Sequence, residues 1–384
     1  MEFPKNLKRK IILRETEGSL RTLGKTNNLV DFSSNDYLGF AKSEEIRLEA
    51  YEFLMKNEMD SNGATGSRLL SGNHQLYDLT EKVLCSTHNS EAALIFNSGY
   101  NANLGFFSCV PQRNDIILFD ELIHASIRDG IRLSNAQSYK FEHNNVTKLE
   151  DILQKFSTEE TVASREIYVV TESVFSMDGD TPDLKRMLEI CEKYEAYFIV
   201  DEAHAIGLPD KKGLGIIQNL GLEHRVFARI LTFGKSLGCH GAVILGSNEL
   251  KIYLVNYSRS FIYTTGLAPH SLAVIWSAYR FLQGKLGEWR REKLHCNIDF
   301  FKKKVFELNL NFIESSSAIH CCIVSGNQKT KEIAHKLHKK GFDVKPILSP
   351  TVTKGKERLR FCLHSYNNFD QITKVLGKLT TFVS

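Results

Sequence analysis

Short apolar runs alternate with longer amphipathic segments along most of the chain. Between residues 92 and 245 the short runs predict strands, and the amphipathic segments between them predict helices. The predicted strands are Ala92–Phe96, Ile116–Phe119, Gln137–Phe141, Glu166–Thr171, Tyr197–Asp201, Arg229–Thr232 and Ala242–Leu245. Strands that alternate with helices form mostly parallel sheets with helices on both faces. We therefore expect an α/β domain here.

The pattern changes near residue 266. A long helix is predicted at Pro269–Gln283, and a second at Trp289–Leu308 after the glycine-containing break at 284–287. Short strands then alternate with two amphipathic helices, which is typical of a smaller α+β domain. The polar and basic start of the chain predicts an arm. We therefore expect an N-terminal arm at 1–42, a large domain at 43–275 and a small C-terminal domain at 276–384.

Composition excludes several protein classes. The chain has 384 residues, of which 42% are hydrophobic and 24% charged, and its net charge is +4. Such a small net charge argues against a dedicated nucleic-acid surface. Eight cysteines without a C-x-x-C pair favour neither disulfides nor a metal site. The chain lacks a signal-peptide core at its start and an apolar run of ~18 residues, so we expect a cytoplasmic protein without membrane contacts.

Three polar side chains follow two of the predicted strands. Asp201 and His204 come at the end of one strand, and Lys235 follows the next strand, 34 residues after Asp201. Polar groups at the carboxyl ends of parallel strands share one edge of the sheet, where α/β proteins bind ligands. Taken alone, Lys235 is explained as a surface lysine at a strand end. Asp201, taken alone, is explained as an acid that caps the next helix. Together, an amine, a carboxylate and an imidazole are what pyridoxal phosphate chemistry requires.

Further candidates lie at other predicted strand ends. Gly99 and Tyr100 follow a strand and open a helix, whose free N–H groups form an anion site; an ordinary helix cap is the alternative. Thr232 and Thr265 offer hydroxyls to the same phosphate. A lone histidine such as His124 is more often a core histidine. In this setting, however, its flat ring is suited to stacking on a pyridine.

Other polar residues suit a substrate. Ser176 follows a strand end and can reach the same crevice. Arg358 and Arg360 alternate with an apolar residue and so share one face of a strand, where they can clamp a carboxylate. A solvated edge strand is the alternative explanation for the two arginines.

One competing function uses the same residues. Asp201-Glu-Ala-His204 also occurs in helicase-type, nucleic-acid-dependent ATPases, and Gly234-Lys235-Ser236 resembles the end of a phosphate-binding P-loop. The first glycine of such a loop, however, is replaced by Arg229. The loop also follows the acidic motif, whereas in those ATPases it precedes it. We therefore treat an ATPase as the remote alternative.

Taken in order, the motifs resemble the α-oxoamine synthases, a family of pyridoxal phosphate enzymes. The resemblance runs from about residue 29 to the C-terminus. It is carried by Asp31-Phe-Ser-Ser-Asn-Asp-Tyr-Leu-Gly39, Gly63-Ala-Thr-Gly-Ser-Arg68, His124-Ala-Ser126, Thr171-Glu-Ser-Val-Phe-Ser-Met-Asp-Gly-Asp180, Val200-Asp-Glu-Ala-His204 and Thr232-Phe-Gly-Lys235. It implies the α/β fold type I of pyridoxal-phosphate-dependent transferases, which is aspartate-aminotransferase-like. That fold has a mostly parallel central sheet and a smaller α+β C-terminal domain.

The resemblance also implies an activity. The family condenses an amino acid with an acyl thioester, carried by coenzyme A or by an acyl-carrier protein, and releases CO₂. Within the family the chain is most similar to the members that join L-alanine to a pimeloyl thioester in biotin synthesis. Glycine or serine with another acyl-CoA is the alternative. A homodimer with shared active sites is expected.

The resemblance assigns roles around the pyridine ring. Lys235 is expected to bind the cofactor as a Schiff base and to remove the substrate's α-proton. Asp201 is expected to pair with the ring nitrogen, and His204 and Ser176 to hydrogen-bond the ring hydroxyl. His124 is expected to stack on the ring and to approach the substrate carboxylate.

It also assigns roles at the phosphate and the substrates. Gly99, Tyr100 and Thr232 are expected to hold the phosphate, with Thr265 contributed by the second subunit. Three further residues are expected to meet the substrates: Asn35 and Arg360 at the amino-acid carboxylate, and Arg21 at the acyl group.

Overall fold

The computed structural model describes residues 2–24, 28–157, 165–208 and 212–383. Residues 25–27 of the predicted arm lie outside this part. The chain divides into two compact units. The large unit comprises residues 36–176 and 181–292, and the small unit comprises residues 1–35, 177–180 and 293–384. The domain limits expected from the sequence stay a prediction.

Strands and helices alternate along most of the described residues. In chain order, the strands are β1 (Val30–Asp31), β2 (Ala92–Phe96), β3 (Ile116–Asp120), β4 (Gln137–Phe141), β5 (Ile167–Glu172), β6 (Tyr197–Asp201), β7 (Ala228–Thr232), β8 (Ala242–Gly246), β9 (Ile319–Ile323), β10 (Phe342–Asp343), β11 (Lys345–Ile347) and β12 (Arg358–Cys362). The helices are α1 (Lys5–Thr16), α2 (Glu44–Lys56), α3 (Gln75–His88), α4 (Gly99–Cys109), α5 (Ala125–Leu133), α6 (Val146–Ser157), α7 (Leu184–Lys193), α8 (Ile216–Asn219), α9 (Asn248–Tyr257), α10 (Arg259–Ile262), α11 (Pro269–Gln283), α12 (Lys285–Glu307), α13 (Asn327–Lys339) and α14 (Phe369–Val383).

A seven-stranded sheet forms the centre of the large unit. Its strand order is β2-β8-β7-β6-β5-β3-β4. The strands from β7 to β4 run parallel, whereas β8 is antiparallel to both of its neighbours. Two apolar clusters cover the sheet. One is centred on residues such as Phe106 and Ile199, and the other on residues such as Leu188 and Val200. Neighbouring residues of β6 thus serve opposite faces, as strand geometry requires.

The small unit holds two smaller sheets. In one, β1 pairs in parallel with β10, and in the other the antiparallel order is β11-β12-β9. Phe361 of β12 is fully buried and contacts the rings of Phe32, Phe301 and Phe312. This aromatic cluster ties the segment that precedes Asn35 to the C-terminal strands within the unit.

All seven strands predicted between residues 92 and 245 are present, with ends that differ by one residue at most. The predicted start of the second long helix is corrected, because the helix begins at Lys285 and not at Trp289. Only Gly284 ends α11, where it is the C-terminal cap. A side chain at Gly287 would meet the carbonyl of Leu282, so this glycine allows the new helix to start there. Within the described residues, no helix is both long enough and apolar enough to cross a bilayer.

Candidate active site

The carboxyl ends of β5, β6 and β7 carry most of the predicted site residues of the large unit. Asp201 is the last residue of β6 and is 4% exposed. One of its carboxylate oxygens accepts the backbone N–H of Ala203 (2.9 Å), and the other accepts the side-chain amide of Asn103 (2.8 Å). Both donors hold the carboxylate in one orientation.

His204 lies in the turn that follows β6 and is 5% exposed. Its Nδ1 is 2.8 Å from the hydroxyl of Tyr37, which is fully buried. A phenol is the better donor and an imidazole nitrogen the better acceptor of such a pair. The Tyr37 hydroxyl therefore donates to Nδ1, and the proton of a neutral His204 resides on Nε2.

Lys235 lies in a tight turn after β7 and is half-buried. Its carbonyl accepts the N–H of Gly238 (2.8 Å). Gly238 has φ +61°, and a Cβ there would clash with the backbone of Ala41, so only glycine allows the turn to pack here. The turn is also held by Ser236, whose buried hydroxyl donates to the carbonyl of Ile206.

The amine of Lys235 and the carboxylate of Asp201 act on the same two neighbours. Packing around the imidazole lowers the pKa of His124, Asp201 opposes this effect and Lys235 adds to it. Burial, and next the charge of Asp201, raise the pKa of the Glu172 carboxyl well above its ordinary value, while Lys235 lowers it. The structure therefore brings Lys235, Asp201 and His124 into one electrostatic neighbourhood.

His124 is the N-terminal cap of α5 and is an exposed residue. Its backbone N–H donates to the Glu172 carboxyl (2.5 Å), and its Nδ1 lies 2.7 Å from the hydroxyl of Ser126. The Ser126 hydroxyl in turn accepts the side-chain amide of Asn103 (3.0 Å). A continuous series of contacts thus joins His124 to Asp201.

The start of α4 has the form of an anion site. Ser98 caps this helix by accepting the N–H of Asn101, so the N–H groups of Gly99 and Tyr100 remain without a helical carbonyl partner. A Cβ at Gly99 would lie 2.5 Å from the Thr232 methyl group, so these two residues approach each other closely. The Thr232 hydroxyl donates to the carbonyl of Ala203 (3.2 Å), which ties it to the Asp201 loop.

Three more predicted residues occupy defined places in the large unit. The Tyr100 side chain is 46% exposed, and its hydroxyl donates to Asp129 (2.7 Å). Ser176 is half-buried in the segment that follows β5. Thr265 is exposed, and its carbonyl accepts the amide of Asn97 (2.5 Å). The expected contribution of its hydroxyl to a second subunit stays a prediction.

The small unit contains the three residues that were assigned to substrates. Arg360 of β12 is 7% exposed and donates to the side-chain oxygen of Asn35 (3.0 Å). Arg358, on the same face, is instead ion-paired with the buried Asp178. The expectation that both arginines can clamp a ligand is therefore corrected, since Arg358 stabilises a loop. Arg21 is exposed and donates to Thr351 (3.2 Å).

A buried ion pair lies directly beside the site. Glu202 is 0% exposed, Arg229 is 2% exposed, and their nearest side-chain atoms are 2.8 Å apart. Arg229 also donates to the carbonyls of His88 and Leu214. The other Glu202 oxygen accepts the N–H of Ile217. The pair links the end of β6 to the start of β7 and to α8.

Sequence reasoning missed four polar residues of this neighbourhood: Tyr37, Asn103, Ser126 and Glu172. Some signal was available. Asn103 is four residues after Gly99 and so lies on the same face of α4. Glu172 ends β5 as Asp201 ends β6, and the two are partners in the strand register. Nothing local pointed to Tyr37, whose partner is 167 residues away.

Comparisons with known proteins identify the relatives of this chain. Residues 27–376 match the model of the family described as aminotransferase class I and II. A relative from Emericella nidulans, 8-amino-7-oxononanoate synthase, is 38% identical over 367 residues, which cover 92% of this chain and 89% of the relative.

Two solved structures are also similar. Sphingomonas wittichii serine palmitoyltransferase is 25% identical with a TM-score of 0.89, and the match covers 100% of this chain and 98% of that chain. For 8-amino-7-oxononanoate synthase from Francisella tularensis the identity is 27% and the TM-score 0.77, with 93% and 98% of the two chains covered. The predicted fold class and family resemblance are confirmed: the chain belongs to the aminotransferase class I and II family.

Proposed function

We propose that the protein is a pyridoxal-phosphate-dependent acyltransferase that condenses L-alanine with a pimeloyl thioester and releases CO₂, forming 8-amino-7-oxononanoate for biotin synthesis. The observation that carries this proposal is the 38% identity to 8-amino-7-oxononanoate synthase over 92% of the chain. The site supports it, because an amine, an oriented carboxylate and a helix N-terminus lie at neighbouring strand ends.

The donor set fits this cofactor. At one end, the first turn of α4 offers free N–H groups to a phosphate, and glycine at position 99 is needed because Thr232 lies so close. At the other end, each Asp201 oxygen accepts one protein hydrogen bond and keeps a lone pair for a further donor. A protonated pyridine nitrogen is such a donor.

When bound, pyridoxal phosphate supplies an aldehyde that condenses with amines and a ring that takes up the electrons of a deprotonated α-carbon. Lys235 would hold it covalently. Gly99, Tyr100 and Thr232 would hold its phosphate, together with Thr265 of a second copy in a homodimer. His204 and Ser176 would contact its hydroxyl.

The chain's own residues then have separable tasks. The Lys235 Nζ takes the α-proton of the amino acid, for which it must be neutral. Asp201 keeps a negative charge against the ring nitrogen. His204 offers its Nε2–H to an oxygen acceptor, because Tyr37 occupies Nδ1. These fixed groups lower the barrier by being oriented before the reaction starts.

The roles of the small-unit residues rest on the family resemblance. Asn35 and Arg360 would position the amino-acid carboxylate, and Arg21 would meet the acyl group. The hydrogen bond from Arg360 to Asn35 supports a joint role, since it sets the orientation of the guanidinium. A planar guanidinium is suited to bind a carboxylate with two parallel hydrogen bonds.

A second candidate is a sister synthase that uses serine or glycine with another acyl-CoA. The specific observation in its favour is the TM-score of 0.89 with serine palmitoyltransferase, against 0.77 with the solved 8-amino-7-oxononanoate synthase. Both candidates use the same large-unit residues, so they differ only in substrate.

A matrix of amino acids and acyl thioesters separates the candidates. Purified, cofactor-loaded protein is incubated with alanine, glycine or serine and with pimeloyl- or palmitoyl-CoA or a pimeloyl-carrier protein, and CO₂ and product mass are measured. We expect turnover with alanine and a pimeloyl thioester. Turnover confined to serine or glycine would replace the proposal with the second candidate. CO₂ release in none of the combinations would refute both.

A further inference from the structure

Asn103 and Ser126 lie between two groups of the proposed site, and the family resemblance assigned a role to neither. Asn103 is 2% exposed and Ser126 is 1% exposed. They connect Asp201 of β6 with His124 at the start of α5. The protons in this connection have only one consistent arrangement, which follows from the fixed donors and acceptors at its two ends.

The His124 end is fixed by a backbone donor. The N–H of Ser126 points to His124 Nδ1 at 3.2 Å. A backbone N–H can only donate, so Nδ1 carries a lone pair and no proton. The Ser126 hydroxyl, 2.7 Å from the same nitrogen, must then donate to it as well. A neutral His124 therefore carries its proton on Nε2.

The Asp201 end is fixed by charge. A carboxylate only accepts, so the group 2.8 Å from it must be the NH₂ of Asn103 and not its oxygen. The hydroxyl of Ser126 donates its single proton to His124, so its oxygen can only accept a further hydrogen bond. It accepts the second N–H of the Asn103 amide at 3.0 Å. Two acceptors thus determine the orientation of the amide.

A buried atom without a partner supports this assignment. Among the described residues, Asn103 Oδ1 is one of the buried side-chain oxygens with no hydrogen-bond partner. If the amide could rotate freely, it would turn this oxygen towards a hydrogen-bond donor. Its orientation is instead held by the demands of Asp201 and Ser126, which indicates that both N–H groups are required where they are.

We propose that Asn103 and Ser126 are positioning residues that form a relay, Asp201–Asn103–Ser126–His124, which fixes the carboxylate of Asp201 and holds His124 as the Nε2–H tautomer. His124 is thereby presented as a hydrogen-bond donor and not as a base. Its partner in the reaction is an oxygen acceptor of the substrate, such as a carboxylate or a carbonyl. This role rests on the proposed function, whereas the tautomer does not.

Other charged groups near His124 are compatible with a neutral ring. Burial of the ring lowers the pKa of His124 and Lys235 after β7 adds to this effect, whereas Asp201 on β6 and Asp129 on α5 oppose it. Glu172 on β5 engages the backbone of His124 and not its ring. The hydroxyl of Ser126 adds a donor to the neutral form, so its removal should raise the pKa of His124.

The experiment uses nitrogen NMR of histidine rings in the cofactor-free full chain, labelled with ¹⁵N-histidine. The chain has 13 histidines, and the signals of His124 are those that vanish in His124→Gln. In the wild type we expect a protonated Nε2 and an unprotonated Nδ1. Ser126→Ala keeps the backbone donor at 3.2 Å but loses the closer hydroxyl donor. The Nε2–H tautomer should therefore remain the major one, a minor share of the Nδ1–H tautomer should appear, and the pKa of His124 should rise by roughly half to one unit.

Three further variants test specificity. Ser126→Thr keeps the hydroxyl and should restore the wild-type signals. Asn103→Leu leaves Ser126 without its donor and Asp201 without its amide, so it should weaken cofactor binding and also broaden the tautomer distribution. Ser277→Ala is the matched control, because Ser277 is fully buried in α11 and its hydroxyl has no hydrogen-bond partner in the part of the chain that the structure describes. It should leave the His124 signals unchanged.

The outcomes separate this inference from the proposed function. A protonated Nδ1 in the wild type, or a Ser126→Ala spectrum equal to the wild type, overturns the relay even if turnover is found. The expected spectra together with no CO₂ release for any substrate pair would leave the tautomer assignment standing and remove the proposed function. If Ser126→Ala fails to fold, the wild-type spectrum and Asn103→Leu still decide the tautomer.

Discussion

Replacing Gly99 by alanine tests how closely α4 must approach β7. The added Cβ would lie 2.5 Å from the Cγ2 methyl of Thr232, whereas carbon atoms in van der Waals contact are ~3.5–4.0 Å apart. Either the helix start or the threonine must shift by about an ångström. Overpacking of this kind costs ~1–3 kcal/mol, so Gly99→Ala should lower the free energy of unfolding of the cofactor-free protein by that amount.

The clash is with a single methyl group, and Thr232→Ser removes that group but keeps the hydroxyl bonded to Ala203. Alone, Thr232→Ser should cost ~0.5–1.5 kcal/mol for the lost methyl. In the double variant the serine leaves room for the new Cβ. The combined cost should therefore be at least ~1 kcal/mol smaller than the sum of the two single costs.

Urea unfolding of the wild type, the two single variants and the double variant gives the four free energies of this double-mutant cycle. Titration with pyridoxal phosphate measures the affinity of the proposed phosphate site. The dissociation constant should rise about tenfold for each ~1.4 kcal/mol lost at the helix start. Gly377→Ala is the control, since that exposed helical glycine of α14 has open space around it and alanine should stabilise the protein by up to ~1 kcal/mol. Additive costs in the cycle, or a Gly99→Ala variant as stable as the wild type, would refute this account of the packing.

Three further substitutions test the described contacts. Lys235→Ala should lose the absorbance of covalently bound cofactor and all turnover, and retained turnover would remove Lys235 from its role. Asp201→Asn should still bind the cofactor but nearly stop exchange of the α-proton of alanine, measured in D₂O; fast exchange would contradict the need for a negative charge at the ring nitrogen. Asp31 accepts hydrogen bonds from two backbone N–H groups and from the Tyr366 hydroxyl. Burial would raise the pKa of its carboxyl, but the nearby His364 and the hydrogen bonds from Ser33 and Ser34 lower it well below the ordinary value. A depressed carboxyl pKa stabilises the fold above the unfolded pKa of ~4 and loses this effect as the pH falls towards the folded pKa. Asp31→Asn should therefore cost ~1–3 kcal/mol at pH 7 and clearly less at pH 3, by urea unfolding. Asp370→Asn, at an exposed helical ion pair, is the control with little effect, and an equal loss for Asp31→Asn at both pH values would contradict the assignment.

The sequence predicted the strands of the large unit because each is a short apolar run between polar segments. It also placed Asp201 and Lys235 together, since parallel neighbours end at one edge of the sheet. The antiparallel direction of β8 was not predictable, because a buried strand has the same composition in either direction. The glycine-containing break at 284–287 predicted a gap between two helices, although Gly287 lies inside the second one.

The missed polar residues share one property: their partners are distant in sequence. Asn103 lies 98 residues from Asp201, and Ser126 becomes important only because α4 and α5 meet beside β6. Periodicity shows which face of a helix is apolar, but not which polar residue on that face meets a partner from another element. The difference between Arg358 and Arg360 has the same origin, because only the fold brings Asp178 to one of them.

The ion pair of Glu202 and Arg229 has a consequence for interpreting the motif Asp201-Glu-Ala-His204 in a sequence. Asp201 and Glu202 are adjacent residues of one short motif. Asp201 lies at the edge of the sheet where a ligand would bind, whereas Glu202 is buried and ion-paired with Arg229. Arg229 lies six residues before Lys235 in the sequence. A scan for the four-letter motif retrieves two unrelated chemistries. In this chain the arginine holds the Glu202 carboxylate within the scaffold, so Glu202 is not available as a ligand of a metal ion.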